Sequence, residues 1–129
     1  MTPQLQETIY EVLSAGVTAD VYDYVPDGAA VPYVRIGEET CIEWDTDDAN
    51  GFEVTVTVHS WSRYAGMLEL KNMMMEVYRV LHNQPLVVEG YHVVLCRQEY
   101  SDSMTEDDGL TRHGVQRFRV LMHEYETST

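Results

Sequence analysis

Lysine is almost missing from this sequence: Lys71 stands alone, and the 8 basic residues face 22 acidic ones, for a formal charge of −14. A protein that grips nucleic acid needs clustered cations to neutralise phosphates and release counterions. Dispersed arginines on so acidic a chain exclude that class. Cysteine is nearly as scarce. Cys41 and Cys96 sit in separate strand-like runs, whereas a disulfide framework or a zinc site needs clustered pairs, so both are expected as free thiols in a reducing compartment. No run of about eighteen apolar residues occurs, which argues against a membrane-spanning helix. The first residues also lack the basic stretch and apolar run of an export signal. The expectation is a soluble protein, cytoplasmic when made, with no membrane partner.

Residues that carry chemistry lack the company they need. The acidic turn Asp45-Thr46-Asp47-Asp48-Ala49-Asn50-Gly51 resembles a calcium loop only at first sight. Ala49 occupies the fifth place, Asn50 stands where the turning glycine belongs, and no glutamate falls at the twelfth. The five histidines, His59, His82, His92, His113 and His123, are spread over separate elements without metal-ligand spacing. No serine or cysteine lies in a nucleophile elbow or beside a local base, and phosphate-cradling glycine loops are absent. The reading predicts no enzyme, no metal and no cofactor.

What is present is the patterning of one domain over residues 1–129, long enough to bury roughly two-thirds of the unfolded surface without crosslinks. Thr2-Pro3 starts a helix, and Leu5, Ile9, Val12 and Leu13 line one face of it to near Gly16. Residues 17–31 read as irregular, docked by Tyr22 and Tyr24, with Pro32 fixing the start of the next element. Short strands are expected at 33–36 and 40–45, then a clear one where Phe52, Val54, Val56 and Val58 alternate with polar residues. A largely enclosed helix is expected from Ser62 to about His82, its methionines filling core with one exposed edge. Residues 86–88 and 91–96 flank Glu89-Gly90 as a hairpin. After an acidic loop at 101–109, residues 115–125 alternate with Phe118, Val120 and Met122 on one face and Arg117 and Arg119 on the other. This order predicts an α+β fold: a mixed, largely antiparallel sheet with two helices packed on one face.

Four blocks carry a family resemblance. They are Pro32-Tyr33-Val34-Arg35-Ile36-Gly37-Glu38; Thr55-Val56-Thr57-Val58-His59-Ser60-Trp61-Ser62-Arg63-Tyr64-Ala65-Gly66; Val80-Leu81-His82; and Asp108-Gly109-Leu110-Thr111-Arg112-His113-Gly114-Val115-Gln116-Arg117-Phe118-Arg119. In order and spacing the chain resembles the tail-completion (tail terminator) family of long-tailed, siphovirus-type bacteriophages. The resemblance implies a structural protein that caps the tail tube as a ring, a homohexamer, and joins it to the head. Its partners would be copies of itself, the tail tube protein and a head-completion or neck protein. Genomic DNA would pass through the lumen without specific binding. The protein would reside in the virion at the tail top, and in host cytoplasm during assembly. The alternatives are another neck component, such as a head-completion or adaptor protein, or a small non-viral binding module.

On this reading Arg112, Arg117, Arg119, His113, Asp107 and Asp108 form a subunit or partner interface, because a neighbouring anionic subunit offers carboxylates to the arginines. Trp61, Gly66 and Pro32 are structural landmarks: Trp61 locks the strand-to-helix corner, and Gly66 permits close approach in the first helical turn.

Overall fold

The computed structural model describes residues 2–47 and 49–125; Asp48, in the acidic turn, lies outside them. Helix α1 spans Pro3–Gly16. Its start is set by Thr2, whose hydroxyl accepts the Leu5 N–H at 3.1 Å, and Leu5, Ile9 and Leu13 are buried along one face. Strands follow at Asp20–Tyr22 (β1), Tyr33–Glu43 (β2) and Gly51–Ser62 (β3), then helix α2 at Leu68–Leu81 and strands Tyr91–Thr105 (β4) and Arg112–Glu124 (β5).

The sheet order is β1-β2-β3-β5-β4. Only β1 runs parallel to its neighbour; β2, β3, β5 and β4 are successively antiparallel, giving the mixed, largely antiparallel sheet expected. Strand alternation sends Val54, Val56 and Val58 of β3 and Phe118, Val120 and Met122 of β5 to one face. Leu5, Ile9 and Leu13 of α1 and Met73, Val77 and Leu81 of α2 join them in a single core. Both helices therefore cover one sheet face, and the other face is polar.

Several boundaries differ from expectation. Residues 17–31 contain β1, a strand of three residues, and Tyr24 is 78% exposed rather than docked. The two strands expected at 33–36 and 40–45 are one strand, because the Gly37-Glu38 interruption is a bulge between Ile36 and Glu39 across which pairing resumes. Likewise β3 continues through Ser62, and α2 begins only at Leu68. Helix α2 buries one face but leaves Leu68 and Met75 exposed, so it is less enclosed than its composition implied; Met73 is the buried methionine of the run. The hairpin at Glu89-Gly90 shrinks to one bridge, Val88 to Tyr91. Leu86 and Val88 instead turn into the core, and β4 finds β5 as its partner. Strand β4 also reaches Thr105, so the acidic loop is confined to residues 106–111.

Candidate assembly surface

The polar sheet face carries the most organised set of side chains. Pairing of β3 with β5 places Trp61 opposite His113 and His59 opposite Val115, while β2 sets Arg35 opposite His59. His59 and His113, expected to be scattered, are thereby brought together: His59 Nδ1 and His113 Nε2 are 2.8 Å apart. The outer ring nitrogens continue the line, His59 Nε2 to Glu38 Oε2 at 2.7 Å and His113 Nδ1 to Glu106 Oε1 at 2.8 Å. Carboxylate, imidazole, imidazole and carboxylate form one chain across β2, β3, β5 and the 106–111 loop.

Local sequence explains why this chain closes. The bulge puts Gly37 against the His59 ring, where an added Cβ would come within 2.6 Å of His59 Cδ2, so only glycine leaves room. Trp61 stacks on both imidazoles, with ring centroids 5.4 Å from His59 and 4.7 Å from His113. Tyr33 lies 5.1 Å from Trp61 and the Arg35 guanidinium 5.9 Å above it. Trp61 thus sits on the outer face, half-buried, and does not lock the corner into α2 as expected. The hydrogen bond from His59 holds the Glu38 carboxyl below its usual range. His113 is lowered chiefly by burial, then by the His59 charge, with Glu106 opposing.

The loop leading into β5 is fastened by Asp108. Its carboxylate accepts the Leu110 N–H, the Thr111 N–H and the Thr111 hydroxyl at 2.9, 2.8 and 2.7 Å. Those bonds, the hydroxyl first, bring its pKa to about 2. Asp107 is exposed beside it. Arg112 donates to the carbonyls of Gly66 and Gly109 at 3.3 and 3.1 Å, tying two turns of the same chain. Arg117 meets Glu99 at 3.0 Å and lies over Tyr100, and Arg119 bonds Glu53. Each of the three arginines thus has partners within its own chain.

Gly66 lies before α2, not in its first turn, with φ +82° and open space where a Cβ would stand. Its role is backbone conformation and a carbonyl for Arg112, not close approach. Pro32 precedes β2 after a cis Val31–Pro32 bond. Gly37, Glu38 and His59 fall in the blocks that carry the family resemblance, but neither they nor Glu106 stand out as site residues in the sequence. The available signal was His59 on the polar side of an alternating strand, which becomes informative once β5 is its neighbour. Among the described residues no group of three or more His, Cys, Asp or Glu side chains could hold a metal ion.

Fold and surface together define a small α+β protein with a helix-covered core and a polar, hydrogen-bonded sheet face. The same fold recurs in a chain of the virion of a native gene transfer agent particle, with a TM-score of 0.82, 23% identity, and coverage of 92% of this chain and 94% of that one. The chain belongs to the Tail completion protein gp17 family, whose model matches residues 9–123. A relative, Tail completion protein gp17 of Bacillus phage SPP1, is 28% identical over 92 residues, covering 71% of this chain and 68% of the relative. This membership makes the chain a structural component of the phage tail.

Proposed function

We propose that this chain is the tail terminator: copies close into a ring, a homohexamer, on the last ring of the tail tube, stop its growth, and offer the head side a docking face. The observation that carries this reading is the extent of the family match, which runs from α1 to β5 and so includes every element of the fold. The charge of −14 supports it physically, since DNA leaving through such a ring would be repelled by an acidic wall. The partners are copies of itself, the tube protein and a head-completion protein. Assembly takes place in host cytoplasm, and the chain ends in the virion.

Deleting the gene from its phage tests the reading. Filled heads should accumulate beside unjoined tails, with tubes of uncontrolled length, and expression in trans should restore particles. Normal joined virions without the chain would refute it.

A further inference from the structure

The sheet ends in two unlike edges. On one side, β1 covers only Tyr33, Val34 and Arg35 of β2, so residues 37–43 present an unpaired backbone edge. On the other side β4 is the last strand. The middle of β4 is closed from within: Asn83 N–H donates to Cys96 O at 2.7 Å, and Gln98 N–H donates to His82 Nδ1 at 3.0 Å. Beyond the bulge at Gln98/Tyr100, residues 100–105 have no such cover; the Ser103 N–H is held only by the Asp102 carboxylate at 2.8 Å. A backbone carbonyl can replace that bond.

Along this free end runs a groove of ≈ 490 Å³ between β4 and α2, lined by Lys71, Met74, Met75, Tyr78, Ser101 and Gln116 among others. Gln116 is 2% exposed, and its amide nitrogen serves Met74 O and Gln98 Oε1, but its Oε1 has no partner. The groove thus leaves an acceptor, Gln116 Oε1, and a cation, Lys71, without partners, although the carboxylate of Asp102 also lines it. Lys71, Arg79 and Arg97 are the cations without a carboxylate or hydrogen-bond partner among the described residues, and all lie on α2 or β4. Arg97 even stands opposite Arg119, already engaged with Glu53.

The geometry points to a head-to-tail joint in which residues 37–43 of a second copy extend the sheet at residues 100–105. Charge complements on the helix side, and apolar groups meet on the outer side. On the helix side, β2 offers Glu39 and Glu43, which register with Val56 and Phe52, toward Lys71. On the outer side, Thr40 and the 59% exposed Ile42 of β2 meet Tyr100, Asp102 and Met104, of which Tyr100 and Met104 are exposed apolar groups. Unlike edges make the contact heterologous, and a heterologous contact closes into a ring when its rotation allows. The joint rests on the ring reading above and names where its subunits meet.

Cysteine crosslinking in assembled tails tests it, using Thr40→Cys with Asp102→Cys and Thr40→Cys with Met104→Cys, each with Cys41→Ser, to sample two registers. Mild oxidation of one pair should give a ladder of covalent multimers ending at the size of the ring, since disulfides form only between adjacent Cβ atoms. Lys71→Glu should abolish ring formation with an unchanged melting temperature. Rings at the tail top with no ladder from either pair, or intact rings with Lys71→Glu, would overturn the joint and leave the ring reading standing. Tails that carry this chain in no ring at all would overturn both.

Discussion

His59 Nδ1 and His113 Nε2 face each other at 2.8 Å while their other ring nitrogens face Glu38 and Glu106. With both carboxylates ionised, the line is satisfied by three protons on two imidazoles: one toward each carboxylate and one shared between the rings. A fourth proton sets N–H against N–H. Burial is the first cause of the lowered pKa of His113, and the charge of His59, the second, is the part that reflects that conflict.

A pH dependence follows. Because folded His113 lies below its ordinary value of about 6.5, the unfolded chain protonates first. The stabilisation is present above that pH and fades as pH falls through the folded value. Glu38, also lowered, adds a contribution lost further into acid. Imidazole NMR with amide exchange should show residues 106–111 losing protection on acidification. Protection that stays level through the histidine range would contradict the shared-proton arrangement.

Gly37→Ala should displace the His59 ring and destabilise the fold by about 1–3 kcal/mol, the usual cost of overpacking, with loss of the His59 to His113 coupling in NMR spectra. Gly66→Ala should cost roughly 1–2 kcal/mol through its positive φ alone and leave that coupling intact. Identical spectra for the two variants would remove the special place given to Gly37.

Phe118→Ala should cost roughly 3–5 kcal/mol, since Phe118 is among the largest fully buried side chains. Arg117→Glu and Arg119→Glu break partly exposed pairs and should each shift stability by about 1 kcal/mol or less. If either reversal blocks tail assembly in a complementation assay at that small cost, the outer face meets a partner. Normal tails from both would remove these arginines from the interface.

Duplex DNA at moderate salt should show no retardation by the purified chain, because eight dispersed cations in a −14 background cannot release enough counterions. Tight, salt-sensitive binding would contradict the account of a repelling lumen.

Local signals carried much of this fold into view. Thr2-Pro3 with apolar Leu5, Ile9 and Leu13 marks α1, and strict alternation marks β3. Strand β1 escaped because three residues hold no measurable period, and the β2 bulge looked like a break because Gly37-Glu38 interrupts alternation without ending pairing. The histidine chain was hidden for a different reason. Its two imidazoles stand 54 residues apart in sequence, and only the β3 to β5 register joins them. The arginines were legible as cations needing partners, but Glu99 and Glu53 became their partners through equally nonlocal pairing.

The central claim is that this chain forms the ring that ends the tail tube. Cryo-electron microscopy of purified virions, with the chain located by its fold in the density, tests it most directly. The account predicts a single ring of this subunit between the last tube ring and the head-side neck. Density for the chain at the distal tip, along the tube, or on the portal side of the neck would contradict it.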